Sequence, residues 1–304
     1  MSKNFVDESF EIVANSYPVP VILDTDTFNE IDDQFAVVYA IMSPDKINLK
    51  GITAELFFNS RAASYADGME KSYQEICKIL DVLKLRDKIP ALKGSTNILK
   101  NKSEYVQSEA VDFIISEAKK AAARDEKLFV VAIGAVTNVA SALIKAPEIA
   151  ENIVIIWLGG HEIDYDKTPR EFNLQGDIIA AQVMVESKAK FIRIPCWNVA
   201  GKLTIAAEEL HENLKGGGAA GEYLKETFAS WWHNQINKII WDISAIACIT
   251  IPEAMKTRII SKPKLDDECY WHYTDDTEKI MEIIDIDRDM VFNDMFDRVK
   301  KHNQ

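Results

Sequence analysis

Four aspartates fall close together in Val21-Ile-Leu-Asp-Thr-Asp-Thr-Phe-Asn-Glu-Ile-Asp-Asp33, at positions Asp24, Asp26, Asp32 and Asp33. Carboxylates this close repel one another unless a bound cation or retained protons relieve them. An all-oxygen ligand set suits a hard ion such as Ca²⁺ or Mg²⁺. The plainer reading makes Asp32 and Asp33 partners of a helix dipole and Asp24 a turn cap. It accounts for some of the four carboxylates and leaves the cluster as a whole unexplained.

The elements around the stretch would position it. Val21 to Leu23 is a short apolar run bounded by Pro20 and by polar turn residues, which predicts a buried strand ending at Asp24. Ile31, Phe35, Val38 and Met42 recur at helical spacing, so Asp32 and Asp33 open a helix. Strand, five-residue loop and helix then place Asp26 at the carboxyl end of a strand, where open α/β sheets bind ligands.

Three known patterns compete for these residues. An EF-hand loop needs oxygen ligands at its first, third and fifth positions and Gly at the sixth. Counted from Asp24, Phe28 and Asn29 stand at the fifth and sixth, so that pattern fails. A haloacid-dehalogenase-type phosphohydrolase opens with a strand and Asp-x-Asp, but Phe28 replaces its usual Thr or Val, and its acidic pair normally comes much later. The stretch more closely resembles the amino-terminal signature of the inosine-uridine-preferring nucleoside hydrolase family, Asp-x-Asp followed shortly by Asp-Asp. The intervening loop, Thr27 to Ile31, is two residues longer than the commonest form and is similar to that of one branch.

Later segments extend the resemblance over nearly the whole chain. Ile47 to Leu56 reads as a second strand, and Asn59 in the loop after it caps a helix or, by the resemblance, faces ribose and metal. Lys127 to Val139 reads as a buried strand running into Gly134 and Thr137-Asn138, similar to the family's strand and Gly-x-x-Thr/Ser-Asn. The resemblance implies that the backbone carbonyl of Ile133 is a Ca²⁺ ligand, although its side chain alone reads as core. Leu158-Gly159-Gly160, Glu171-Phe172-Asn173 and Asp177 resemble the ribose-binding segment, in which Glu and Asn hydrogen-bond sugar hydroxyls. Asp242, at the start of an apolar helix, matches the last metal ligand. Trp241 stands where many members have His; it can stack on a base and cannot donate a catalytic proton, which leaves His161 or His233 as acids.

Composition narrows the rest. The chain has 304 residues and a formal net charge of -13, enough for one large α/β domain and too acidic for a nucleic-acid face. Neither a signal-peptide core nor a run long enough to span a bilayer occurs, so a cytoplasmic protein without a membrane partner is expected. Cys77, Cys196, Cys248 and Cys269 are widely spaced and read as reduced, mostly buried thiols. Gly216 to Gly221 satisfies Gly-x-Gly-x-x-Gly but joins two helical patterns, Ala206 to Lys215 and Tyr223 to Ile239, so a flexible loop or lid hinge is expected instead. Strands are predicted at Thr257–Ser261, Glu268–His272 and Glu278–Ile286, before an amphipathic helix from Arg288 to Lys300.

The expectation is a single-domain, mostly parallel α/β sheet flanked by helices with a Rossmann-like core, hydrolysing ribonucleosides to ribose and base in nucleoside catabolism or salvage. The resemblance implies Ca²⁺ held by Asp26, Asp33, Ile133 and Asp242, with Asp26 as general base. It makes Asp32, Asn59, Glu171, Asn173, Trp241 and Asp242 the substrate contacts, with Asp24 holding the loop. It also implies a homodimer or homotetramer. Two alternatives stay open: a Mg²⁺-dependent phosphohydrolase with Asp24 as nucleophile, and a non-catalytic Ca²⁺-dependent nucleoside or ribose binder.

Overall fold

Val21 and Leu23 pack into one apolar cluster and Ile22 into another, and the same alternation separates Phe129 and Val131 from Val130. Strands that are apolar on both faces must be covered on both, which is the pattern of a parallel sheet between helical layers. The computed structural model describes residues 17–165, 167–231 and 237–302.

The first half contains β1 (Val19–Thr25), α1 (Asp32–Ile41), β2 (Ile47–Ala54), α2 (Tyr65–Val82), β3 (Ala91–Leu92), α3 (Glu109–Ala122), β4 (Leu128–Ala132), α4 (Thr137–Lys145) and β5 (Ile153–Leu158). Then come α5 (Phe172–Gly176), α6 (Ile178–Glu186), β6 (Lys190–Ile194), β7 (Thr204–Ala206), α7 (Ala207–Asn213), α8 (Gly218–Trp231), β8 (Asn237–Ile239) and α9 (Ile243–Thr250). The chain closes with β9 (Met255–Ser261), β10 (Lys264–Leu265), β11 (Trp271–His272), β12 (Lys279–Ile286) and α10 (Arg288–Lys301).

The main sheet has 8 strands in the order β3-β2-β1-β4-β5-β6-β12-β9. Its neighbours run parallel except β12 and β9, which pair antiparallel at one edge. The expected open, mostly parallel sheet is therefore present. Strand order reverses between β1 and β4, so the loops leaving their carboxyl ends diverge and open a crevice. Phe35 and Val38 of α1, Ile76 of α2 and Phe292 of α10 cover one face; Ile114 of α3, Val139 of α4 and Ala180 of α6 cover the other. No helix among the described residues is long and apolar enough to cross a membrane.

Several boundaries differ from the sequence reading. The glycine run is not a hinge: α8 starts inside it at Gly218, and Gly216 (φ +80°) turns the chain after α7. A Cβ on Gly221 would lie 2.9 Å from the Leu214 carbonyl oxygen, so the run is a close helix junction. Of the stretch expected as a helix from Tyr223 to Ile239, α8 covers the part up to Trp231, and Asn237–Ile239 is a strand paired with β7. His233 lies outside the described residues. Strand Glu268–His272 shortens to Trp271–His272, because Cys269 has φ +73° and Asp266 Oδ1 accepts the Glu268 and Tyr270 amides in a turn.

Arg193 of β6, fully buried, pairs with Glu282 of β12, whose other oxygen accepts from Arg258 Nη2 at 2.6 Å. Arg193 Nη2 also donates to the His161 carbonyl, and its guanidinium lies 4.3 Å from the Trp271 ring centroid. Glu282→Leu would leave that cation buried without its counter-charge. Urea unfolding should show a loss of about 3–5 kcal/mol; a change under about 1 kcal/mol would mean the pair contributes little.

Candidate active site at the carboxyl edge of the sheet

A cavity of ≈ 380 Å³ opens at the strand-order reversal. Asp26 enters it from the end of β1, Asn29 and Glu30 from the following loop, and Asp32 and Asp33 from the first turn of α1. Ile133 follows β4, Leu158 ends β5, Cys196 and Trp197 follow β6, and Trp241 and Asp242 precede α9. His161, Tyr165, Thr168 and Arg170, with Glu171 to Asn173, form the remaining wall. The lining residues are thus supplied where strands end and helices begin.

Neighbouring strands hold the first loop rigidly. The Glu55 N–H donates to the Thr25 carbonyl at 2.8 Å and the Ile133 N–H to the Asp24 carbonyl at 3.0 Å, extending both ladders past β1. Asp24 Oδ1 accepts from Thr53 Oγ1 at 2.5 Å and Asn138 Nδ2 at 2.9 Å. Asp24 is fully buried and does not line the cavity, so it ties β1 to β2 and α4. An attacking nucleophile at Asp24, as the phosphohydrolase reading needs, has no access to substrate. Thr137 and Asn138 also act behind the wall: Thr137 Oγ1 donates to Asp177 Oδ2 at 2.8 Å, and Asp177 caps α6 through the Ala180 N–H. Gly134 is required by close approach, since a Cβ there would lie 2.2 Å from Glu55 Oε2 and 3.0 Å from Asp26 Cγ.

The carboxylates are buried: Asp26 is 2% exposed, Asp32 3%, Asp33 2% and Asp242 4%. Oxygens of Asp32, Asp33 and Asp242 all lie within 4.8 Å of one another, a group able to hold a metal ion. Asp33 Oδ1 accepts from Thr25 Oγ1 at 2.5 Å, and Asp32 Oδ2 from the Trp241 N–H at 3.2 Å. Asp26 Oδ2 is buried with no partner among the described residues. Burial first, then the charges of Asp33 and Asp32, push the Asp26 carboxyl well above its ordinary range. Burial and Asp32 raise Asp33 to about 7. Burial raises Asp32 to about 6, against the opposing pull of Lys238, whose Nζ lies 3.9 Å from Asp32 Oδ1. Asp242 is raised well above normal by burial and by Asp32 and Asp33. A divalent cation offsets such repulsion, and the unpartnered Asp26 oxygen with its all-oxygen surroundings fits a hard one.

Glu171 and Asn173 reach the cavity by way of α5. Glu171 caps that helix, its oxygens accepting from the N–H groups of Gly160 at 2.8 Å, Asn173 at 2.9 Å and Leu174 at 3.0 Å. Gly160 makes this possible by adopting φ +72° after β5. Asn173 Nδ2 donates to the carbonyls of Ile133 at 3.1 Å and Leu158 at 2.9 Å, leaving its Oδ1 for the cavity and a second lone pair on the Ile133 carbonyl. Asn59 is not in the cavity wall; its Nδ2 donates to Asn29 Oδ1 at 2.6 Å.

The outer cavity is aromatic. Trp197 and Trp241 lie 6.0 Å apart between centroids with planes inclined by 32°, and His161 lies 4.3 Å from Tyr165. Burial lowers the His161 pKa below its ordinary 6.5, so the neutral imidazole predominates at pH 7. Sequence reasoning missed Trp197, Cys196 and Lys238. Trp197 and Cys196 follow β6 directly, so the carboxyl-edge rule applied to every strand finds them; nothing local signals Lys238.

A sequence profile of the inosine-uridine preferring nucleoside hydrolases matches residues 21–293. The chain belongs to this family. Ribonucleoside N-ribosyl hydrolysis is therefore its class of activity. Among its relatives, a probable uridine nucleosidase of Arabidopsis thaliana is 27% identical over 225 residues, 67% of each chain. A plant nucleoside hydrolase superposes with a TM-score of 0.73 at 19% identity, covering 93% of this chain and 99% of that one. A purine-preferring ribonucleoside hydrolase from Gardnerella vaginalis gives 0.71 at 22% identity with the same coverage. At these identities the superpositions establish the fold.

Proposed function

We propose that the chain cleaves the N-ribosidic bond of ribonucleosides with Ca²⁺ seated among Asp26, Asp33, the Ile133 carbonyl and Asp242. The observation that carries this reading is the unpartnered, buried Asp26 oxygen beside three converging carboxylates at the strand-order reversal. The cation, when bound, supplies Lewis acidity that favours deprotonation of water and fixes vicinal hydroxyls. Asp26 is the group placed to take a proton from the attacking water, because it lines the cavity and its buried Oδ2 has no hydrogen-bond partner among the described residues. Asp32, Asp242 and the Oδ1 of Asn173 surround the space a ribose would fill, and the negative charge of the two carboxylates favours an oxocarbenium-like transition state. Glu171 orients this wall by capping α5 and has lone pairs left for a sugar hydroxyl.

The base would occupy the aromatic outer region against Trp241, with Trp197 beside it. Stacking excludes water and tolerates purines and pyrimidines alike, in keeping with names among the relatives that cite both. His161 is the one described histidine in the cavity wall. Proton donation from it should weaken as pH rises, because its depressed pKa leaves it neutral. Trp241→Ala should raise KM for ribonucleosides by about tenfold, given roughly 1–3 kcal/mol per stacked base, while inhibition by free ribose stays unchanged. An equal loss of ribose affinity would place Trp241 against the sugar instead. We also propose assembly as a homodimer or homotetramer, checked by light scattering.

The function is tested by ribose release from a panel of purine and pyrimidine ribonucleosides, with Ca²⁺ and with chelator. Release of ribose and free base in equal amounts supports hydrolysis. Saturable binding without release would assign a non-catalytic binder.

A further inference from the structure

The loop between Asp26 and Asp32 brings an amide into the cavity that has been given no role so far. Asn29 is 8% exposed and lines the wall beside Asp26 and Asp32. Its N–H donates to the Asp26 carbonyl at 2.7 Å, Arg61 Nη1 donates to its own carbonyl at 3.2 Å, and Asn59 Nδ2 donates to its Oδ1 at 2.6 Å. Amide oxygen and nitrogen have nearly the same shape, so their partners must decide which points where. The backbone N–H of Arg61 can only donate, and it meets Asn59 Oδ1 at 2.8 Å. Asn59 must therefore turn Nδ2 toward Asn29, and Asn29 must answer with its oxygen. Asn29 Nδ2 is left with two N–H donors and no hydrogen-bond acceptor among the described residues. The surrounding wall is dominated by ionisable carboxyls, which when ionised or cation-bound accept only, whereas a sugar hydroxyl both donates and accepts.

We infer that Asn29, in place of Asn59, is the amide that contacts the sugar from the side of the β1–α1 loop, opposite in role to Asn173, donating from Nδ2 to a ribose hydroxyl oxygen, with Asn59 as the positioning residue behind it. This rests on the ribonucleoside hydrolase reading of the same cavity. Asn59 is half-buried outside the wall, and both ends of its amide are already engaged by Arg61 and Asn29.

The test is a double-mutant cycle on ribose release by the full chain with Ca²⁺, using Asn29→Ala, Asn59→Ala and the pair, with melting temperatures recorded for each. Asn29→Ala should lower kcat/KM by about tenfold, the worth of one hydrogen bond. Asn59→Ala should lose no more than that, and the double variant should fall no further than Asn29→Ala. Such coupling marks a residue acting through its neighbour, whereas independent losses multiply. Wild-type kcat/KM in Asn29→Ala, or losses that multiply, would overturn the inference. If the wild type releases no ribose, the hydrolase reading fails, and the same cycle is read in the dissociation constants of uridine and inosine by calorimetry. Coupling there sustains Asn29 as the sugar contact, and absence of binding ends both.

Discussion

Asp26→Asn should lower kcat/KM for ribonucleoside hydrolysis by roughly 10²–10⁴-fold, the usual worth of a positioned general base, without lowering the melting temperature of the metal-free protein. The two halves of this result have one cause. Asp26 is buried, and its carboxyl is pushed well above the ordinary range by burial and by Asp33 and Asp32. An amide of nearly the same shape replaces a carboxyl whose ionisation this environment already disfavours, so the metal-free fold gains or stays level while the proton acceptor is lost. If the variant lost activity and also melted far below the wild type, Asp26 would be a structural residue. Retained activity would move the base to another carboxylate.

Chelation should abolish turnover, and Ca²⁺ should stabilise the protein more at pH 8 than at pH 5. The sign follows from Asp33 and Asp32, raised to about 7 and about 6 from 3.8. A carboxyl whose folded pKa is raised contributes stability that is full below the unfolded pKa and is lost as pH climbs through the folded one. Metal-free protein should therefore lose stability between about pH 4 and 7 through these groups. A cation competes with the same protons, so its affinity rises over this window. At a hundredfold excess over Kd, binding adds about 2.7 kcal/mol, readable as a rise in melting temperature. A Ca²⁺ increment that is larger at pH 5 than at pH 8 would place the ion elsewhere.

What could be read from the chain beforehand was local. The apolar runs of β1, β4 and β5 and the carboxylates after β1 have their meaning within a few residues, and the structure brings Asp26, Asp32, Asp33, Ile133, Glu171, Asn173, Trp241 and Asp242 to one cavity. What escaped depends on partners distant in the chain. Asn59 reads as a loop amide at a strand end, and only Asn29 and the Arg61 N–H show that its amide is engaged behind the cavity wall. Lys238 sits in a three-residue strand, and its Glu30 partner lies 208 positions earlier. Arg193 occupies an apolar strand as an apparent exception until Glu282 arrives from β12. The glycine run reads as flexible by composition, yet Leu214 requires its small residues for close packing.

The most direct test follows the initial rate of ribose release against free Ca²⁺ in the wild type and in Asp242→Asn. The account predicts a single saturable dependence in the wild type, no rate in chelator, and a variant that needs at least tenfold more Ca²⁺ and reaches a lower plateau. A rate indifferent to chelator, or identical Ca²⁺ curves for both proteins, would contradict the assignment of this carboxylate cluster as the cation-dependent hydrolytic centre.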